Sequence, residues 1–179
     1  MSRAVLLAFE SEFRRYRGLA ESAAAHLTWP EMRVALDPEI NSIAVIMKHV
    51  GGNLRSRWTE PFTTDGEKPS RNRDVEFIDD FADRAAMEAA WGAGFGVLFA
   101  TLAGCADADL TRELRIRGEP HTLALALARS ATHTSYHCGQ IVQAARVLAS
   151  RAGREWKTLT IARGGSAEFN RGKGFEAGR

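Results

Sequence analysis

The chain has 179 residues, of which 45% are hydrophobic and 26% charged, a composition that fits one globular domain and excludes a disordered or fibrous protein. Its 24 basic and 22 acidic side chains leave a net charge of +2, too small for a surface that neutralises nucleic-acid phosphates. The two cysteines, Cys105 and Cys138, have no metal-knuckle spacing and indicate no disulfide framework, which favours a reducing cytoplasm.

Neither a signal peptide nor a membrane span is expected. The apolar run from Ala4 to Phe9 is followed at once by charged residues and by no small-residue cleavage site. The longest apolar candidate, Ile43 to Val50, contains Lys48 and His49 and falls short of the ~20 residues that a span requires. We therefore expect a soluble, cytoplasmic protein with neither a membrane nor a nucleic acid as partner.

Two amphipathic helices are predicted in the first third of the chain. In the first, apolar residues recur at three- and four-residue steps, as on one buried helix face. These residues are Val5, Leu6, Phe9, Phe13, Tyr16, Ala20, Ala23 and Leu27. The second helix is predicted to begin near Asp37 and to run to about Trp58. Asp37 is suited to cap the free amides, and Pro38 suits the first helical position.

A long irregular connection is predicted between the second and third helices. The stretch from Thr59 to about Asp80 contains prolines, a glycine and many charges, which interrupt regular structure. A third helix follows, predicted from large apolar residues at helical spacing and containing three glycines suited to close helix packing. The apolar residues are Met87, Trp91, Phe95, Leu98, Leu102 and Cys105, and the glycines are Gly92, Gly94 and Gly96.

The last part of the chain combines a short alternating segment, a long helix and a tail. The alternation from Leu114 to Gly118 predicts a small strand or an extended link. The fourth helix is predicted to start between Glu119 and Thr122 and to end near Ser150. Four helices with little strand signal predict an all-α four-helix bundle, one domain over residues 1–179, with the tail 153–179 packed on it.

The fourth helix carries the most informative polar residues. His133 and His137 are four residues apart, so they lie one turn apart on one face, about 40° from each other around the helix axis. That face also carries apolar residues, which predicts that both imidazoles point into the bundle. The apolar residues are Ala126, Ile141, Ala144 and Leu148.

His49, at the edge of the apolar face of the second predicted helix, is the third candidate ligand. Three imidazoles can hold one divalent metal ion and leave a position open for water or substrate, as in catalytic sites. Neutral imidazole suits zinc, nickel, iron or copper, so the residues do not single out one metal. The alternative is a set of core histidines bonded to backbone or water.

The segment from Ala131 to Ile141 contains the pattern His-x-x-x-His-x-Gly-Gln. Together with Lys48-His49-Val50, it resembles the signature of the DinB-like family of metalloenzymes, also called YfiT-like. The connection from Asp65 to Phe77 and the tail from Trp156 to Asn170 resemble an uncharacterised branch of that family. These matches span most of the chain.

The resemblance implies an up-up-down-down four-helix bundle, frequently a homodimer, with a divalent metal held by three histidines. Carried over by position, these ligands are His49, His133 and His137, and no family ligand is missing. Related families include S-transferases that use low-molecular-weight thiols, a maleylpyruvate isomerase and proposed hydrolases. The implied partner is a small-molecule substrate, with a low-molecular-weight thiol in the transferase case.

Two polar side chains, Asn53 and Gln140, lie on the same faces as the candidate ligands. Each is suited either to orient a histidine or a bound water, or simply to bond across helices. Two neighbours of His137 are not expected to be ligands. Tyr136 is directed about 100° away and should pack at a helix boundary, while Cys138 should be a small buried hydrophobe.

The remaining histidines, His26 and His121, lie near predicted helix ends and have no ligand spacing, so we expect them to act in capping or solvation. The charged connection admits two interpretations. Its arginines, such as Arg71 and Arg73, either receive an anionic substrate above a metal, or belong to a salt-bridged loop that covers the end of the bundle.

Two hypotheses about function follow, from different classes. In the first, an open metal position activates a water or thiol for transfer to, or hydrolysis of, a small molecule. The sequence offers no strong candidate for a separate general base. In the second, the bundle is not catalytic and the site serves stability or sensing.

Overall fold

The protein is mainly helical, and the computed structural model describes residues 2–175, so positions 176–179 of the predicted tail lie outside the described residues. The helices are α1 (Ala4–Ala24), α2 (Trp29–Met32), α3 (Ile43–Trp58), α4 (Arg84–Ala103), α5 (Leu123–Arg151) and α6 (Ser166–Gly172). Strands β1 (Glu113–Ile116) and β2 (Glu119–Thr122) form a small sheet, and 3₁₀ turns lie at Asp74–Phe77 and Asp107–Thr111. This architecture agrees with the predicted all-α class.

The four long helices share one hydrophobic core. α3 packs along α4, α1 packs along α5, and α3 also contacts α5. Large aromatic side chains are fully buried between them: Phe13 from α1, Trp58 from α3, and Trp91 and Phe95 from α4. Burying a side chain of this size contributes about 2–3 kcal/mol each, so these contacts fix the position of α3 between its neighbours.

The predicted start of the second helix is wrong by about five residues. α3 begins at Ile43, and the Ser42 side chain accepts the Val45 amide at 3.3 Å as its N-cap. Asp37 instead accepts the Glu39 amide at 3.0 Å and closes a separate local turn. An aspartate can cap a turn as well as a helix, so the cap signal by itself did not decide between the two.

One of the three glycines of α4 serves close helix packing. A Cβ on Gly94 would clash with the backbone of Gly51 on α3, and a Cβ on Gly51 would lie 2.9 Å from the Ala90 carbonyl oxygen. Gly92 and Gly96 face open space. The glycine prediction is therefore confirmed at Gly94 and wrong at the other two positions.

α4 is also the one helix, among those in the described part of the chain, that is long and apolar enough to cross a membrane by length and composition. It differs from Ile43 to Val50, the longest apolar candidate predicted from the sequence. α4 places Trp91, Phe95 and Leu98 in the protein core. A lone helix of this kind, packed against α3, does not indicate a membrane protein.

The connection between α3 and α4 is irregular as predicted, but hydrogen bonds to the hairpin hold it in place. Asp65 accepts the amides of Arg117 and Gly118 at 2.8 and 2.7 Å, in the tight turn between β1 and β2. Both turn residues have positive φ, as a two-residue hairpin turn of type I′ requires. The predicted short strand is thus one half of a hairpin, and the hairpin holds the connection over α3.

α5 starts at Leu123 with Thr122 as its N-cap, within the predicted range, and ends at Arg151. The described part of the tail contacts the helical body at two places. Arg154 pairs with Glu31 at 2.7 Å, and Trp156 stacks on His26 with ring centroids 4.5 Å apart. His26 is therefore an aromatic contact for the tail rather than a helix cap.

Candidate metal centre

The three candidate ligands come together where α3 meets α5. His49 lies in the middle of α3, and His133 and His137 lie one turn apart on α5. One ring nitrogen from each histidine falls within 4.8 Å of the other two, and the Nε2 atoms of His49 and His133 are 3.1 Å apart. The cluster joins residues 84 positions apart in sequence, and it could hold a metal ion.

The histidines of α5 do not point into the centre of the core. His49 is buried, but His133 and His137 are half-buried. The buried stripe of α5 runs instead through neighbouring positions such as Ser130, Thr134 and Cys138. The prediction that both imidazoles point inward is corrected, since they lie at the flank of the stripe, where one side of the cluster is accessible.

Burial keeps the α5 histidines neutral. It lowers the pKa of His133 to about 3, with further contributions from His137, His49 and Arg57. Burial also lowers the pKa of His137, against the opposing effect of its hydrogen bond with Gln140. Unprotonated imidazole is the form that binds metals, so both rings are ready to act as ligands at neutral pH.

A buried carboxylate supports His49 from behind. Glu76 Oε2 lies 2.9 Å from His49 Nδ1, and Phe77 stacks on the imidazole ring at 4.8 Å between centroids. When Nδ1–H donates to this carboxylate, His49 Nε2 carries a free lone pair directed at the cluster. Carboxylate–histidine pairs of this kind orient the ring and raise the basicity of the ligating nitrogen.

Glu76 is itself held by Arg71. Its two oxygens accept from Arg71 Nε and Nη2, each at 2.8 Å, and Arg71 Nη1 donates to Glu67 at 3.0 Å. Burial would raise the pKa of Glu76, but the hydrogen bonds from Arg71 and His49 outweigh it, so the pKa is lowered. The carboxylate stays ionised and committed to its two partners, so it is not available as a general base.

The role of Glu76 was missed in the sequence, where it was one of many charges in the connection. The signal that could have found it is Gly52, one turn after His49 on α3. A Cβ on Gly52 would clash with the Glu76 carboxylate, so the glycine makes the space in which this side chain reaches His49.

The two polar helix residues differ in what they contact. Gln140 Oε1 lies 2.7 Å from His137 Nδ1, so it occupies the orienting position suggested above. Asn53 is half-buried, and its side chain forms no hydrogen bond with any residue of the range 2–175. Gln140 thus leaves His137 Nε2 free for the cluster.

The other side chains near the signature are placed as follows. Tyr136 is 65% exposed with its ring edge-on to His137 at 5.1 Å, so its predicted packing at a helix boundary is wrong. Cys138 is buried as predicted, and burial raises the pKa of its thiol to about 12. His121 is buried in β2 beside Arg129 rather than solvated at a helix end.

The charged connection is salt-bridged at its centre. Arg71 is engaged by Glu67 and Glu76, so its guanidinium is not free to receive a substrate. Lys48 donates to the carbonyls of Val75 and Ile78 at 2.8 and 3.0 Å. For Arg71, the interpretation as part of a salt-bridged loop is therefore the correct one. The charged connection places Glu76 behind His49.

These observations define a class of protein, a mainly helical protein with a three-histidine cluster that could hold a metal. The chain belongs to DUF1572, a family of proteins of unknown function that matches residues 1–165. None of the curated proteins matches this sequence.

The fold is similar to the crystal structure of a conserved protein from Enterococcus faecalis, with a TM-score of 0.63. The match covers 84% of this chain and 99% of that chain at 17% identity. At this identity the likeness shows a shared fold alone.

Proposed function

We propose that the protein is a metal-dependent enzyme of the DinB-like type, an up-up-down-down four-helix bundle that acts on a small molecule. The observation that carries the proposal is the convergence of three imidazoles, with the second ring nitrogens of His49 and His137 held by Glu76 and Gln140. His49, His133 and His137 would hold zinc, nickel or iron. Neutral nitrogen donors suit each of these ions.

The donor set fits a metal on two counts. Neighbouring nitrogens around a tetrahedral zinc are about 3.4 Å apart, close to the 3.1 Å between His49 Nε2 and His133 Nε2. His133 Nδ1 is also buried with no hydrogen-bond partner in the described range 2–175, so this ring gains little from the rest of that range. A site with three protein ligands retains room for a further ligand, as catalytic sites do.

A divalent metal bound there would supply Lewis-acid chemistry that activates a thiol or water nucleophile near neutral pH. The residues of the chain orient the site: Glu76 fixes the His49 ring, and Gln140 fixes the His137 ring. The half-buried side of His133 and His137 is where a small substrate would approach. We propose that the reaction is thiol S-transfer or hydrolysis and that it takes place in the cytoplasm. We also propose that the protein is a homodimer, which sedimentation velocity would test.

The test is elemental analysis of the purified, tag-free protein beside His49→Ala, His133→Ala and His137→Ala. We expect near-stoichiometric metal in the parent protein and its loss in all three variants. His26→Ala, a histidine outside the cluster, is the matched control and should keep its metal. Full occupancy in His133→Ala would refute the three-histidine site.

Catalysis is tested separately with the metal-loaded protein and a panel of thiols, electrophiles and hydrolysable esters or amides. The second candidate function is a non-catalytic metal-binding bundle that serves stability or sensing. The ion pairs of Arg71 with Glu67 and Glu76 behind His49 favour it, because such pairing also suits a rigid structural site. Metal-dependent stability with no turnover on the panel would select that candidate.

A further inference from the structure

Arg57 is a buried charge without a partner among the described residues. It lies on α3 two turns after His49, about 12 Å along the helix axis. The residue is only 9% exposed, and its guanidinium forms neither a hydrogen bond nor an ion pair with the described residues 2–175. Of its three nitrogens only Nε is sealed from solvent. Proteins rarely bury an arginine unless a partner offsets the cost of desolvation.

The surroundings of Arg57 carry an excess of positive charge. The charges of Arg71, Arg117 and Arg129 act on the Arg57 guanidinium, and the acids that oppose them are Glu67 and Glu76, the latter bonded to Arg71. Glu67 is already paired with Arg71 at 3.0 Å and with Arg117 at 3.4 Å. Burial, then the charges of Arg129 and Arg71, lower the pKa of Arg57 to about 10, so it remains protonated at neutral pH.

The connection holds the Arg57 side chain in place. A Cβ at Gly66 would lie 2.9 Å from Arg57 Cδ and 3.1 Å from its Nε, so the glycine packs directly on the side chain. Gly66 is fixed in turn by the Ser56 hydroxyl, which donates to its carbonyl at 2.9 Å, and by its own amide, which donates to the Arg115 carbonyl at 2.7 Å. The guanidinium is therefore rigid and desolvated on one side, as a binding group should be.

Arg57 belongs to the same region as the histidine cluster. Its charge and that of Arg71 reach His133 and contribute to the lowered pKa of that ring. Arg129 lies one turn before His133 on α5. The charge of Arg57 thus acts on the histidine cluster.

We propose that Arg57 binds an oxyanion group, a carboxylate or a phosphate, of the small molecule that reacts at the histidine cluster. The planar fork of arginine matches both groups in a bidentate manner. The link to a reacting molecule rests on the proposed function, but the anion site itself does not require a metal. An anion site at Arg57 implies that the substrate is a small organic anion.

The experiment measures binding of inorganic phosphate and of succinate to the metal-free full chain by calorimetry, at constant ionic strength in chloride. We expect at least one anion to bind and Arg57→Met to weaken it about tenfold or more, since a charge-assisted hydrogen-bond pair is lost. Comparison of the two anions distinguishes a phosphate from a carboxylate ligand. Arg55→Met, an exposed arginine on the same helix, is the control with the same change in charge and should bind normally.

A second readout separates binding from a structural role. Without anions, Arg57→Met should unfold at the same or a higher temperature than the parent protein, because an uncompensated buried charge is removed. If that variant does not fold, Arg57→Lys keeps the charge but lacks the planar fork, and it should still bind the anion more weakly. Equal anion binding by parent and variant, or no binding by the parent, overturns the inference. Arg57-dependent binding in a protein that holds no metal would leave the anion site standing while the proposed function fails.

Discussion

The three histidines differ in how their second ring nitrogen is used. His49 Nδ1 faces Glu76 and His137 Nδ1 faces Gln140, whereas His133 Nδ1 is buried without a partner in the part of the chain that the structure describes. Two of the rings are thus oriented by the chain, and the third is oriented by packing. The groups behind a ligand commonly contribute ten- to a hundredfold to metal affinity.

Replacement of Glu76 tests this support. We expect Glu76→Gln to weaken metal binding by about ten- to a hundredfold, since the neutral amide is a poorer partner for His49 Nδ1–H and for Arg71. Competition with a chromophoric chelator measures the affinity. Glu113→Gln, which alters an exposed carboxylate distant in sequence, is the control and should bind as the parent does. Unchanged affinity in Glu76→Gln would show that the carboxylate serves only Arg71.

At the scale of elements, the contact between α3 and α4 decides where His49 lies. Gly51 and Gly94 allow the two helix backbones to approach closely. Gly52, the next residue of α3, leaves space for the Glu76 side chain. Helical periodicity predicted both helices, because apolar spacing is local. It did not identify which of the three glycines of α4 faces α3, since that depends on the rotation of one helix against another.

A matched pair of substitutions tests this packing. Gly94→Ala should destabilise the protein by about 1–3 kcal/mol, because the added methyl group meets the backbone of Gly51. Gly96→Ala faces open space and should stabilise it by about 0.5–1 kcal/mol through the higher helix propensity of alanine. Urea unfolding measures both changes. Equal effects of the two substitutions would contradict the close helix contact.

At the scale of the whole molecule, stability should depend on pH through the histidine cluster. His133 has a pKa of about 3 in the folded protein, below the 6.5 of an ordinary histidine. The unfolded chain therefore binds more protons between these values, and stability falls as the pH is lowered from about 6.5 toward 3. The lowered pKa of Glu76 acts in the same direction, since its protonation at low pH also favours unfolding.

The contribution of His133 is isolated by substitution. In metal-free protein, we expect His133→Gln to lose less stability than the parent between about pH 7 and pH 4, because the glutamine does not titrate. Urea unfolding at a series of pH values measures the slope. His26→Gln keeps the cluster intact and should follow the parent. A parallel slope in His133→Gln would show that other groups carry the pH dependence.

The sequence by itself determined the features that depend on local spacing. Periodicity and capping placed the long helices, apart from the start of α3, where a turn competed with the cap. Alternation indicated β1, one of the two strands of the hairpin. The spacing of His133 and His137, with the resemblance at His49, named the residues of the cluster, because one turn of helix fixes their relation.

Only the tertiary structure decided which side chains support these residues. Glu76 contacts His49 from the irregular connection, 27 positions further along the chain, and Arg57 is buried under Gly66 of the same connection. An irregular segment has no repeating pattern of residues from which its contacts can be predicted. Its path depends on long-range hydrogen bonds, such as those that Asp65 accepts from the hairpin turn. The accessible flank of His133 and His137 likewise follows from how α5 is rotated against α1 and α3, which single-helix periodicity does not specify.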